Sequence, residues 1–164
     1  MGMNPKDYYM NYEADDNISP ANELLVLEIT RYHPKSVFEF GAGTGKNINL
    51  LWKYNPDMSG YGCDLSKINV QKAEQNGVFI EEGDEYLLQY YGNIDVVFTC
   101  DVLNHIPNID FVVSEMKKLC NKSIVIAEPA KEGDYFYPHD YESYGFVKLD
   151  EKYNIYKWDK PKQT

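Results

Sequence analysis

At 164 residues the chain is long enough for one α/β core to fold without disulfides or a structural metal. Its 26 acidic residues outnumber 16 basic ones, and a net charge of −10 with no basic run beyond two residues disfavours direct nucleic-acid binding. Cys63, Cys100 and Cys120 are odd in number and contain no C-x-x-C pair, which argues against a disulfide framework or a cysteine zinc site and fits a reducing compartment.

In chain order, "MGMNPKDYYMNYEADDN" lacks the basic-then-apolar order of a signal peptide. No apolar run reaches the length of a membrane span, so a cytoplasmic protein with no membrane partner is expected. "SPANELLVLEITRYH" reads as a helix, with Ser19 as N-cap, Pro20 at the first helical position and Pro34 as its stop. "SVFEF" is a short strand running into glycines, and "NINLLWKYN" a helix closed by Asn55-Pro56. "SGYGCDL" is a second strand, after which Ser66 caps the helix "KINVQKAEQN", stopped by Gly77. "VFIEE" is a third strand, "DEYLLQYY" a short helix, "IDVVFTC" a fourth strand, "IDFVVSEMKKLC" a helix and "SIVIAEP" a fifth strand.

Strands alternating with helices predict a parallel sheet with crossover helices on its faces, and the Val-, Ile- and Phe-rich strands read as buried on both sides. After Pro129 the pattern breaks into a Tyr-rich loop, "KEGDYFYPHDYESY", with room for one helical turn. "GFVKLDEKYNIYKW" then reads as an antiparallel hairpin added to the sheet.

The loop after the first strand, "FEFGAGTGKN", decides the chemistry. A triphosphate loop, G-x-x-x-x-G-K-[S/T], fails because Phe40 stands at its first glycine and Asn47 at its hydroxyl position. A dinucleotide fingerprint, G-x-G-x-x-G, fails because its third glycine falls on Lys46 or on Ile48, although Asp64 would suit a ribose in either case. What remains is E-x-G-x-G-x-G from Glu39 to Gly45, in which alternating glycines bring the backbone close to a ligand that carries no pyrophosphate.

With that loop, the motifs "GYGCDLS", "EEGDEYLL" and "IDVVFTCDVLNHIP" and the terminal hairpin, the chain resembles the class I S-adenosylmethionine-dependent methyltransferases from Val37 to Trp158. The resemblance implies a doubly wound, Rossmann-like α/β fold in one domain, with seven strands in the order 3-2-1-4-5-7-6 and strand 7 antiparallel. It implies S-adenosylmethionine as cofactor and S-adenosylhomocysteine as product. By the same resemblance Gly41 and Gly43 form the platform for the methionine part, and Glu39 faces its amino group. Asp64 binds the ribose hydroxyls and Asp84 accepts from the adenine amino group. Phe40, Ala42, Leu65 and Glu85 line the same site, together with the backbone of Cys100. Plainer structural readings stand beside these: Glu39, Asp64 and Asp84 would each cap the helix that follows.

A hydroxyl or amine acceptor needs a base. His105, in the loop above the fourth strand, is the first candidate, and the pair His139-Asp140, walled by Tyr135 and Tyr137, is its rival. His33 before Pro34 has no expected role, and the spacing of His105, Asp140 and Glu142 gives no support for a metal. "TCDVLN" stands where an N/D-P-P-Y/F/W motif would mark exocyclic-amine methylation of bases, and no Pro-Cys nucleophile is present. A small-molecule acceptor, neutral or cationic, or a glycan precursor is favoured. The alternative is a non-catalytic subunit of the same fold that serves a partner protein, and a nicotinamide oxidoreductase comes third. Residues 1–34 are expected to form a lid segment and a helix within the same domain as the core, 35–164. The tyrosines at 8, 9 and 12 and at 135–144 suit an acceptor wall or, equally, a homodimer surface.

Overall fold

The computed structural model describes residues 3–131 and 133–162, so the outermost residues of the expected lid and core, and Glu132 of the Tyr-rich loop, lie outside the described residues. Seven strands, β1 (Ser36–Phe40), β2 (Ser59–Asp64), β3 (Glu81–Glu82), β4 (Ile94–Cys100), β5 (Cys120–Ala127), β6 (Val147–Asp150) and β7 (Ile155–Asp159), form one sheet. Its order is β3-β2-β1-β4-β5-β7-β6. β1, β2, β3, β4 and β5 are mutually parallel where they pair, and β7 runs antiparallel to both β5 and β6. This is the expected doubly wound arrangement, in a single α/β domain.

The helices are α1 (Pro5–Met10), α2 (Pro20–Thr30), α3 (Lys46–Tyr54), α4 (Lys67–Gln75) and α5 (Asp110–Leu119). Ser19 and Asn22 form a reciprocal capping box at the start of α2, and the Ser66 hydroxyl accepts from the Asn69 amide at the start of α4. Apolar side chains pack on both faces of the sheet. Phe38, Val97 and Ile124 meet Val112 and Met116 of α5 on one side, and Val37, Val96 and Val125 meet Leu25 and Ile29 of α2 on the other.

Three elements differ from the sequence expectation. β3 keeps only Glu81–Glu82, because it is the sheet edge and Val78 leaves the strand to pack under Gly45. The expected helix at 84–91 is a 3₁₀ segment, Glu85–Tyr90. α1 was not foreseen at all. Among the described residues no helix is long and apolar enough to cross a membrane.

The parallel register sets Glu39 beside Gly62 and Phe40 beside Cys63, so the loops leaving β1 and β2 lie side by side. β1 and β4 are neighbours whose outgoing connections turn to opposite sides, which opens a crevice at their carboxyl ends.

Candidate active site

The chain leaves β1 through Gly41 and Gly43, at φ +71 and +54. A Cβ on Gly41 would lie 2.4 Å from Val102 Cγ2, so this loop packs against the turn after β4 more closely than any side chain permits. The Gly43 amide donates to Asp64 Oδ2 at 2.8 Å. Asp64 Oδ1 accepts from the Ser66 amide at 2.9 Å and from Asn69 Nδ2 at 3.1 Å. Asp64 is therefore both a local cap and a wall of the crevice; three donors already use most of its roughly four lone-pair sites.

Glu39 is 1% exposed. Its Oε1 accepts from Asn47 Nδ2 at 2.7 Å, Asn47 Oδ1 accepts from Asn22 Nδ2 at 2.9 Å, and the Ser19 amide and hydroxyl both donate to Asn22 Oδ1 at 2.8 Å. Oε2 has no partner among the described residues. Burial pushes the carboxyl up to about 8 in spite of the Asn47 hydrogen bond. When ionised, a buried carboxylate with one free oxygen is a receptor for a cation.

On the far side of the loop, Asp84 Oδ1 accepts from the Tyr86 amide at 3.1 Å, and Lys6 of α1 reaches Asp84 Oδ2 at 2.8 Å and Glu85 Oε1 at 3.2 Å. Burial would raise the Asp84 carboxyl, but the Lys6 hydrogen bond and the Tyr86 amide hold it below the usual carboxylate range. Cys100 Sγ lies 3.3 Å from Asn22 Nδ2, and burial pushes its thiol far up, which leaves it protonated and unreactive.

After β4 the chain turns through Asp101, at φ +59, into the one-turn 3₁₀ segment Leu103–His105. His105 Nε2 lies 3.4 Å from Asp101 Oδ1. Its Nδ1 lies 2.7 Å from the Tyr9 hydroxyl of α1 and 3.1 Å from the Tyr135 carbonyl oxygen. Burial alone would lower the imidazole pKa; the Asp101 hydrogen bond, the Tyr135 carbonyl and the charges of Asp101 and Glu128 reverse this and raise it. Against its own burial, Asp101 is held down to about 2 by its contact with His105 and its ion pair with Lys131. His139 lies elsewhere. Its Nε2 sits 3.1 Å from the Leu103 carbonyl and 2.9 Å from that of Ile106, bracing the turn from outside. His33, at φ +45, follows α2.

One crevice of about 1080 Å³ gathers Glu39, Phe40, Gly41, Ala42, Gly43, Asp64, Leu65, Asp84, Glu85 and Cys100 with His105; His139 is not on its walls. The N-terminal segment supplies the opposite wall through Lys6, Tyr9 and Tyr12. That volume lies just above the roughly 300–1,000 Å³ usual for small-molecule pockets. Asn22, Asn47, Asp101, Lys6 and Glu128 carry the site's polar network without having been singled out from the sequence. Only Asn22 had a readable signal, as the third helical residue after the Ser19 cap.

A family model described as a methyltransferase domain matches residues 38–123. No curated protein sequence matches the chain significantly. Among solved structures, the magnesium protoporphyrin IX methyltransferase of Synechocystis, crystallised with bound S-adenosylmethionine, aligns with a TM-score of 0.71 at 16% identity, over 98% of this chain and 99% of that one. A methyltransferase from Geobacter sulfurreducens aligns with a TM-score of 0.69 at 16% identity, over 88% and 80% of the two chains. The plantazolicin methyltransferase, solved with S-adenosylhomocysteine, gives 0.59 at 18% identity over 70% of this chain, which spans about half (51%) of that protein. With the family match running over more than half its length, from the glycine loop through the turn after β4, the chain belongs to the class I S-adenosylmethionine-dependent methyltransferases.

Proposed function

We propose that the chain transfers a methyl group to an oxygen or nitrogen of a small-molecule or glycan-precursor acceptor, with His105 as the base. The observation that supports it is the shared crevice: the glycine loop, Glu39 and Asp64 on one wall, and His105 backed by Asp101 on another.

The residues fit S-adenosylmethionine. Glu39 Oε2, buried and unpartnered, would hold the ammonium of its methionine part, and the backbone would lie along that part at Gly41, where a Cβ would clash with Val102, and at Gly43, where φ is positive. Asp64 and Leu65 would meet the ribose, Asp84 and Glu85 the adenine, and Phe40, Ala42 and Cys100 would close the crevice around it. When bound, the cofactor supplies a methyl group already activated by its sulfonium.

The protein's part is alignment, exclusion of water and removal of the acceptor proton. His105 Nδ1, in its neutral form, receives that proton at the atom where the Tyr9 hydroxyl now sits. Asp101 stabilises the resulting imidazolium through Nε2. Residues 3–19 act as a lid, pinned by Lys6 to Asp84 and by the Ala14 amide to Asn69 Oδ1. Six acidic side chains (Asp15, Glu39, Asp64, Asp84, Glu85, Asp101) against three lysines (Lys6, Lys46, Lys131) line the crevice, which favours a neutral or cationic acceptor over an anion or nucleic acid. The separated cysteines, none disulfide-bonded, support a reducing, cytoplasmic setting.

The second reading, a non-catalytic subunit serving a partner protein, draws on the short connection from Asp101 to Ile109, which leaves little chain to wall an acceptor. Transfer of radiolabelled methyl groups from the cofactor to a panel of neutral and cationic acceptors separates the two. Wild type is expected to turn over, and His105→Gln to lose roughly 10²–10⁴-fold in rate while still binding cofactor. Equal turnover by His105→Gln would remove His105 as base; cofactor binding without turnover on any acceptor would favour the subunit.

A further inference from the structure

Glu128 follows the last residue of β5, is 3% exposed and is not on the crevice wall. Its Oε1 accepts from Thr99 Oγ1 at 2.9 Å, from the Leu103 amide at 3.1 Å and from the Val102 amide at 3.3 Å. Its Oε2 accepts from the Asn104 amide at 3.2 Å. Three successive amides of the turn after β4 thus converge on one carboxylate. From the other side His139 Nε2 faces the Leu103 and Ile106 carbonyls, and the Tyr137 amide donates to the Asn104 carbonyl at 2.7 Å. The turn is gripped through its amides by an acid and through its carbonyls by an imidazole and an amide.

That grip defines where His105 sits. Asp101 adopts φ +59, and its amide donates to the Ala127 carbonyl at 2.8 Å, which anchors the start of the turn to the end of β5. From that anchor, the turn with the amides of 102–104 drawn to Glu128 brings His105 Nε2 back to 3.4 Å from Asp101 Oδ1. A glutamine in place of Glu128 would offer one acceptor oxygen and point N–H donors at backbone N–H groups. An aspartate would keep the charge but fall one methylene short of the amides.

We infer that Glu128 is a positioning residue for His105: by gathering the amides of residues 102–104 it sets the approach of His105 to Asp101 and Tyr9. This rests on His105 being the base, but its test needs neither acceptor nor cofactor. Burial holds Glu128 itself up at about 7 against those hydrogen bonds, so the grip is strongest where the carboxylate is ionised.

The experiment is NMR titration of the histidine side chains, with the His105 signal assigned from His105→Gln, in wild type, Glu128→Gln and Glu128→Asp. In both variants the His105 midpoint is expected to fall toward the ordinary histidine value and the His105–Tyr9 ring contact to weaken. Glu128→Asp is decisive, because it keeps the negative charge and removes only the reach. A His105 midpoint unchanged in folded Glu128→Asp would reduce Glu128 to a distant charge and overturn the inference. Loss of the fold in both variants would also overturn it, by making Glu128 a core residue only. The cofactor reading is tested separately, by ligand binding to wild type, so its failure and that of the Glu128 inference are distinguishable.

Discussion

The amide of Gly43 donates to Asp64 Oδ2 across 2.8 Å, which ties the loop leaving β1 to the acidic end of β2. Two motifs separated by some twenty residues in the chain thereby form one wall of one crevice. Removal of Asp64 should be felt twice, once through lost ligand contacts and once through a loosened loop. A hydrogen bond to a charged group contributes about 1.5–3 kcal/mol, so Asp64→Ala is expected to weaken S-adenosylhomocysteine binding by roughly ten- to a hundredfold. Equilibrium dialysis with radiolabelled cofactor measures this, and Asp64→Asn should lose less.

Gly41 meets Val102 under two constraints, a positive φ of +71 and a would-be Cβ contact of 2.4 Å. Backbone strain of about 1–3 kcal/mol and overpacking of similar size should both appear in Gly41→Ala. The second part should be relieved by adding Val102→Ala, because the two sites share one contact. Urea unfolding of the two single variants and the double variant gives the coupling; strict additivity would place the clash elsewhere.

Acid–base behaviour follows from two buried carboxyls. Glu39 and Glu128 are raised from 4.5 to about 8 and about 7, so across that window the folded state holds more protons than the unfolded one. Stability of the cofactor-free protein therefore falls as pH rises from about 5 to about 8, the opposite of the usual salt-bridged carboxylate. A ligand ammonium would pair with ionised Glu39, so the Tm increase from S-adenosylhomocysteine should be larger at about pH 8.5 than at about pH 6. Glu39→Gln should flatten both trends in a thermal-shift series; an unaltered pH profile would mean that Glu39 does not titrate there.

Lys6 bridges α1 to Asp84 and Glu85 with its side chain 43% exposed, the contact that would pin the proposed lid. An ion pair so open to solvent contributes less than about 1 kcal/mol to global stability. Lys6→Ala should therefore leave the urea midpoint almost unmoved. It should nonetheless speed release of S-adenosylhomocysteine in stopped flow and expose residues 3–19 to limited proteolysis. Dissociation as slow as in wild type would mean that the segment does not gate the crevice.

Much of this organisation was legible in the chain. "SVFEF" and "IDVVFTC" are β1 and β4 to the residue, because short runs of Val, Ile and Phe between turn signals have no other use in a parallel sheet. The Ser19-Pro20 start of α2 was equally plain, since the cap is chemical and local. α1 carries the same chemistry, an Asn4 cap and Pro5 at its first position. It buries no residue, however, and so has no apolar period to draw attention to it. β3 was read too long because sheet-edge position is a tertiary fact. The glycine loop and Asp64 were visible as local motifs. The Asn22–Asn47–Glu39 chain, the His105–Tyr9 contact and the Glu128 grip join residues from 8 to 96 apart, and no local pattern encodes such distances.

Isothermal titration of S-adenosylmethionine and S-adenosylhomocysteine into wild type and Glu39→Gln, with NADH as control, tests most directly whether this crevice is the cofactor site. Saturable binding of both adenosyl ligands by wild type, weakened at least about tenfold in Glu39→Gln as expected for loss of a charged partner, and no binding of NADH, is the expected result. Absence of adenosyl binding by wild type, a preference for NADH, or equal affinity in Glu39→Gln would contradict it.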